Sequence, residues 1–270
     1  MTRVMGILNT TPDSFSDGGC WSDHERALRH ALSMVAAGAD IIDVGGESTR
    51  PGATAVSAHE EIDRVATAIE SLVAETDVLV SVDTSKPEVM EAAVSAGAGM
   101  VNDVYALRCD GALEMAVKLE VPVCLMHMQG EPRDMQHDPV YDDVVREVIG
   151  FLLERARACE LAGIPAAQVV IDPGFGFGKT LEHNLELFHA LAQFADTAYP
   201  LLVGVSRKAM LGSLTGKPVG ERVMASVTAA VLAAQSGAAI VRVHDVAETV
   251  EALAVARALS HMQTECRHNG

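Results

Sequence analysis

Short apolar runs rich in Val and Ile recur along the whole chain. Each is followed by a stretch in which apolar residues return every three to four positions. The runs fall at 4–8, 40–44, 78–82, 100–102, 121–126, 169–171, 201–205 and 239–243. Most are apolar at successive rather than alternate positions, as a parallel strand covered on both faces requires. The intervening stretches predict helices over 24–37, 60–75, 87–96, 142–162, 181–194, 221–235 and 247–259, with a shorter one over 112–119. Gly38, Gly97, Gly163 and Gly237 each stand between a helical pattern and the next strand, where a left-handed cap favours glycine. Ser85 with Glu88 predicts a capping box for the helix beginning at Pro87. Strand–helix units repeated eight times without a break in composition predict an α/β fold, a (β/α)8 TIM barrel, as a single domain over residues 1–270. An open doubly wound sheet is the runner-up, and the lack of fingerprint glycines counts against it.

In such barrels the chemistry sits at the C-terminal ends of the strands. Those positions hold Asn9, the segment GGESTR at 45–50, Asp83, Asn102 with Asp103, His127, Asp172, Ser206-Arg207-Lys208, and Arg242 with His244. One polar tip can be a helix cap; eight converging on one rim make a site. The Ser85 box leaves Asp83 without a capping duty, which favours a functional role. Asp172 precedes Pro173 and is held extended; it either meets a ligand or braces the glycine-rich loop that follows. Asn102 and Asp103 both suit turn backbone groups; for Asn102 alone a ligand contact explains the residue equally well. His127, set among methionines, reads as a core histidine. The segment GFGFGKT at 174–180 ends like a phosphate-binding loop, but Pro173 stands where that motif needs its first glycine. Its alternating glycines instead suggest backbone approaching a flat ligand, with Phe175 or Phe177 stacked on it.

Charge sharpens this picture. The formal net charge of −17 argues against nucleic-acid or membrane partners, both polyanions. An anionic substrate must then be drawn by a local cluster, and Arg50, Arg207, Lys208 and Arg242 with His244 supply one. The loops after strands seven and eight are the usual phosphate location in this fold. Asp83, Asp172 and Asn102 suit a heterocycle presenting adjacent N–H donors, with Lys208 donating to its opposite edge. The residues alone thus give a barrel enzyme acting on a phosphorylated, guanine-like heterocycle. The 5 cysteines are odd in number and form no CxxC pair, so a reduced, cytoplasmic protein without zinc is expected. Met1-Thr2-Arg3 leads straight into a short apolar run, unlike a signal peptide, and no apolar run reaches membrane-spanning length.

The segments MGILNTTPDSFSDGG (5–19), IIDVGGESTRPGA (41–53), SVDTSKPEVM (81–90), PVCLMHMQG (122–130), DPGFGFGK (172–179), LLVGVSRK (201–208) and IVRVHDV (240–246) resemble the dihydropteroate synthases, nearly end to end and in order. The resemblance implies a transferase of folate biosynthesis, condensing 6-hydroxymethyl-7,8-dihydropterin pyrophosphate with p-aminobenzoate. It implies a pterin held by Asp83, Asn102, Met126, Asp172, Phe177, Gly204 and Lys208, with Ser206 among the substrate contacts. Pyrophosphate would lie on Asn9, Arg50, Arg242 and His244, with Mg2+ next to Asn9. Loops carrying Phe15, Thr49 and Pro51 would close over the site and form the p-aminobenzoate pocket, which sulfonamides would contest. Asp83, Lys208 and Arg242 would carry the chemistry, a dissociative substitution resting on positioning and electrostatics.

Two departures from the family pattern stand out. The family opens with a β-hairpin that closes the barrel bottom, whereas this chain begins almost at strand one. Ala209 follows the site lysine where many members have a serine, which predicts a modestly weaker hold on the p-aminobenzoate carboxylate. The alternatives are a pterin-binding module of the methyl-tetrahydrofolate/corrinoid type, which should lack the Asn9 and Ser48–Pro51 loops, and a catalytically silent paralogue. A homodimer through the alanine-rich stretches at 223–234 and 247–259 is expected by resemblance.

Overall fold

The computed structural model describes residues 1–10, 20–48, 56–131 and 134–265, without the side chains of 20–23 and 260–265. Eight parallel strands follow one another in a nearly closed barrel. They are β1 (Arg3–Asn9), β2 (Ile41–Gly45), β3 (Leu79–Asp83), β4 (Met100–Asp103), β5 (Val123–Met126), β6 (Val169–Asp172), β7 (Leu202–Val203) and β8 (Ile240–Val243). β1 pairs with both β2 and β8. The seam between β6 and β7 is a single bridge from Ile171 to Leu201, with the Ile171 N–H donating to the Pro200 carbonyl at 2.9 Å. The expected single-domain (β/α)8 barrel is the fold. β7 is shorter than the apolar run 201–205 because the chain turns off the sheet there, reaching a left-handed Arg207 at φ 58°.

The helices are α1 (Cys20–Ala36), α2 (Ala58–Glu75), α3 (Pro87–Ser95), α4 (Ala112–Leu119), α5 (Val144–Ala162), α6 (Leu181–His189), α7 (Leu191–Ala195), α8 (Ala209–Thr215), α9 (Val223–Gln235) and α10 (Val246–Glu265). Their ends follow from local chemistry. The Ser57 and Asp143 side chains cap α2 and α5, accepting from Glu60 and Arg146 N–H groups. The four glycines that precede strands all take positive φ, from 98° at Gly38 to 115° at Gly97. The capping box expected from Ser85 and Glu88 does not form: Lys86 is the N-cap and makes no side-chain cap bond. Pro87 explains the shift, since its fixed φ and missing N–H suit the first helical position and start α3 one residue past the Ser85 frame. The single helix expected over 181–194 breaks at Ala190, whose N–H is shared among the carbonyls of Glu186, Leu187 and Phe188. The seven-residue α8 begins at Ala209 and carries no side-chain cap. No described helix is long and apolar enough to cross a membrane.

The barrel interior explains where the site must be. Alternate strand side chains point inward. Met5, Ile41, Met100, Cys124, Val170, Leu202 and Ile240 form one buried interior cluster, with Leu79 packed against it. Each of the eight strands thus contributes one apolar side chain, and together they plug the lower barrel. Two or four residues further along the same faces, their places are taken by Asn9, Asp43, Asp83, Asn102, Met126, Asp172, Gly204 and Arg242. The inward face of the barrel is therefore apolar below and polar above.

Candidate active site

Strand register sets the upper rim. Asn9, Gly45, Asp83 and Asn102 are successive Cα partners across β1, β2, β3 and β4. Met126 and Asp172 form the matching pair on β5 and β6. The structure therefore brings together most of the side chains expected from strand tips. Phe15, Thr49, Arg50 and Pro51 lie outside the described residues.

Arg242 crosses the barrel from β8. Its Nε donates to Asp43 Oδ2 at 2.6 Å and its Nη2 to Asp83 Oδ2 at 2.8 Å. Asp43 Oδ2 also accepts from Asn102 Nδ2 at 3.0 Å. One guanidinium thus ties two carboxylates and, through one of them, an amide. Burial pushes the Asp83 carboxyl up to about 7, against the pull of Arg242 and with the help of Asp43. Burial works against the charge on Arg242 as well, but Asp43 and Asp83 outweigh it and hold the guanidinium ionised.

Lys208 sits opposite. Its Nζ donates to the Phe175 carbonyl at 2.6 Å and lies 4.8 Å from the centroid of the Phe177 ring. Burial lowers it to about 8, opposed chiefly by Asp172. Burial raises Asp172, with Lys208 and the Gly174 N–H pulling the other way. Of the two candidate stacking rings, Phe177 is at the site, packed with Met126, Met128 and Met135. Phe175 is fully buried against Phe188 and belongs to the core.

Two of the three glycines of this loop, Gly174 and Gly178, serve a different purpose from the one expected. A Cβ on Gly174 would fall 1.9 Å from the His127 carbonyl oxygen, and one on Gly178 2.3 Å from that of Gln129. The close approach is to the chain leaving β5, not to a flat ligand. Lys179 locks the arrangement, donating to Phe177 O at 2.9 Å, Gly174 O at 3.0 Å and His127 Nδ1 at 3.0 Å. Its ammonium is turned inward, and burial lowers it to about 7. His127 is the core histidine expected, packed edge-on against Phe151 and held neutral by burial and Lys179, which push it down to about 2.

One other expectation changes, and the turn reading of Asp103 holds. Arg207 is not a rim cation: its guanidinium forks onto Asp245 and its carbonyl accepts from Arg222 Nη1 at 2.9 Å. Its N–H donates to Ser226 at 2.9 Å, so a residue in the left-handed region is held from three sides and sets the start of α8. Asp103 accepts from the N–H groups of Tyr105 and Leu107, both at 2.8 Å, and is a turn brace. Ser206 backs His244, with 3.0 Å between its hydroxyl and Nδ1, so the imidazole is oriented from behind.

A family model described as "Pterin binding enzyme" matches residues 5–244. The chain belongs to the pterin binding enzymes. The dihydropteroate synthase of Escherichia coli K12 is 53% identical over 95% of this chain and 91% of its own. The barrel superposes on Yersinia pestis dihydropteroate synthase, solved with a sulfonamide drug, with a TM-score of 0.92 at 52% identity, covering 96% of this chain and 94% of that one. The Xanthomonas albilineans enzyme in complex with 7,8-dihydropteroate gives a TM-score of 0.88 at 52% identity, again covering 96% of this chain and 94% of that one. Such likeness places the chain among the synthases of this family and leaves the methyl-carrier alternative without support.

Within this pterin binding enzyme, sequence reasoning missed Asp43 and Lys179. Asp43 lies mid-strand in IIDVG, below the strand tips, and is wholly buried. A carboxylate inside an otherwise apolar strand was the available signal, because such a charge must be paired. Lys179 was hidden by its likeness to a phosphate-loop lysine.

Proposed function

We propose that this chain joins the methylene of 6-hydroxymethyl-7,8-dihydropterin pyrophosphate to the amine of p-aminobenzoate, giving 7,8-dihydropteroate and pyrophosphate. The observation that carries the reading is the set of acceptors Asp83, Asn102 and Asp172 on one rim, with Arg242 and Lys208 as cations beside it. The acceptors take the ring N–H groups, and Lys208 exchanges the Phe175 carbonyl for the opposite ring edge. Met126 and Phe177 give the ring an apolar bed. Among the described residues nothing stands closer than 3.7 Å to a Cβ on Gly204, so its bareness is not demanded by packing and suits a ligand against the backbone. Arg242, His244 and Asn9 are assigned to the pyrophosphate, with Ser206 orienting His244; by family resemblance Arg50 joins them, and the loops carrying Phe15, Thr49 and Pro51 supply the p-aminobenzoate pocket.

The methylene–oxygen bond breaks with its electron pair leaving on pyrophosphate. Arg242 stabilises that charge, and Asp83 stabilises the methylene cation that the ring delocalises. The amine nitrogen then attacks the methylene carbon, and the resulting ammonium gives its proton to water. Among the described residues no group of three His, Cys, Asp or Glu forms a metal cage. Asn9 offers a single amide oxygen and would hold Mg2+ that arrives with the pyrophosphate. Bound there, Mg2+ would neutralise charge on the leaving group. Incubating the protein with both substrates and Mg2+ should release pyrophosphate and form dihydropteroate, and a sulfonamide should raise the apparent KM for p-aminobenzoate. Well-folded protein that turns over nothing overturns the reading. Exposed Met224, Leu232, Val255 and Leu259 on α9 and α10 support a homodimer through those helices, and the composition supports a cytoplasmic location.

The kcat/KM for the pterin substrate should fall below about pH 7, where Asp83 gains a proton and loses the negative charge that stabilises the methylene cation, and above about pH 8, where Lys208 loses its positive charge. Lys208→Arg should flatten the alkaline limb of a measured pH profile and leave the acid limb in place. Ala209→Ser adds one hydroxyl at the start of α8. It should lower the KM for p-aminobenzoate by roughly 2–10-fold, the worth of one hydrogen bond, without raising kcat. An unchanged KM would remove that position from the p-aminobenzoate site.

A further inference from the structure

We propose that Asp43 is a positioning residue that sets the donor–acceptor order of the ring pocket by fixing which end of the Asn102 amide faces the bound ring. The inference rests on the pterin reading above and deepens it. Asp43 is wholly buried and touches the pocket only through its neighbours. Both of its side-chain hydrogen bonds fall on one atom: Oδ2 accepts from Asn102 Nδ2 at 3.0 Å and from Arg242 Nε at 2.6 Å, while Oδ1 is buried without a partner among the described residues.

A carboxylate can only accept, whereas a carboxamide has a donor end and an acceptor end of nearly equal shape. With Asp43 held by Arg242, the Asn102 nitrogen has to point at Asp43, and its oxygen is turned to the other side. Asn102 then joins Asp83 and Asp172 as a third acceptor for ring N–H groups. The reversed amide would set oxygen against carboxylate at Asp43 and a donor against donors at the ring. Asp43 thereby makes the pocket selective for a ring edge rich in N–H groups. The same oxygen anchors the Arg242 guanidinium by Nε, so one buried atom aligns the ring side of the site with its anion side. An ordinary structural carboxylate paired with Arg242 would explain the Arg242 contact but not the shared acceptor at Asn102.

The test compares two ring probes that lack pyrophosphate: pterin, and lumazine, in which an oxygen replaces the 2-amino group. Calorimetric Kd values are measured for wild type and for Asp43→Asn. The carboxamide that this substitution introduces can donate or accept, so the Asn102 amide is free to reverse and serve either ring. The wild-type preference for pterin should shrink at least tenfold. Equal weakening of both probes, with the ratio kept, would show Asp43 to be support only and would overturn the inference. A wild type that binds pterin no better than lumazine overturns the pterin reading itself, a distinguishable failure. If Asp43→Asn does not fold, hydrogen exchange of the Asn102 side-chain amide in the wild type decides. Slow exchange before the ring is added supports the inference; protection that arises only with the ring defeats it.

Discussion

Arg242→Ala is expected to cost both activity and stability. Its guanidinium contacts Asp43 and Asp83 at 2.6 and 2.8 Å, and Asp43 is wholly buried. Removing the cation strands two carboxylates in the barrel interior, which typically costs about 3–5 kcal/mol when one partner of a buried pair is lost. For a chain of this size that is a fall in Tm of roughly 5–15 °C. The kcat/KM for the pterin pyrophosphate should drop about 10³-fold, because the group facing the developing pyrophosphate charge is gone.

The pH dependence of the loss separates electrostatics from packing. Asp83 already titrates high because it is buried, with Arg242 pulling it down; without Arg242 it rises further above its unfolded value. A raised carboxyl pKa gives stability that is present at low pH and lost as pH climbs through the folded value. The Tm gap between Arg242→Ala and wild type should therefore be small near pH 5 and widen toward pH 8. A gap that stays constant would mean that lost side-chain packing dominates. Arg242→Lys should recover part of the Tm but little of the rate, since an ammonium cannot fork across both carboxylates.

The barrel was legible in the sequence because its two governing patterns are local. Strands buried on both faces read as unbroken Val and Ile runs, and helix ends that need positive φ read as glycine. The site was legible as far as one rule reaches, that chemistry gathers at strand tips. That rule found Asn9, Asp83, Asn102, Asp172 and Arg242, all on inward faces. It stopped short of Asp43, which sits one inward step below the tips. It also credited Arg207 to the rim, because nothing local shows that Asp245, 38 residues on, would claim the guanidinium. The Ser85 box failed for a local reason, Pro87, that competes with it in the same window. Pairing across the barrel and competition between overlapping signals are what a linear reading leaves open.

The glycine-rich loop makes the same point about backbone. Gly174 has φ 69°, and a Cβ there would lie 1.9 Å from the His127 carbonyl oxygen. Gly174→Ala therefore meets two penalties: a left-handed backbone costing about 1–2 kcal/mol and a collision with main chain, costing about 1–3 kcal/mol more as the loop shifts. The main chain cannot yield as a side chain would, so the loop must move away from β5. Such a shift carries off the Phe175 carbonyl that holds Lys208, the Phe177 ring above Met126, and the acceptors gathered around Lys179. A fall in Tm of roughly 5–15 °C is expected, together with a rise in KM for the pterin substrate of at least about tenfold. Gly150→Ala on α5 is the control: among the described residues a Cβ there meets nothing within 4 Å, so the change should stabilise by about 0.5–1 kcal/mol and leave KM untouched. If Gly174→Ala matched that control in both Tm and KM, the loop would not be pinned against β5 and its glycines would answer to a ligand after all.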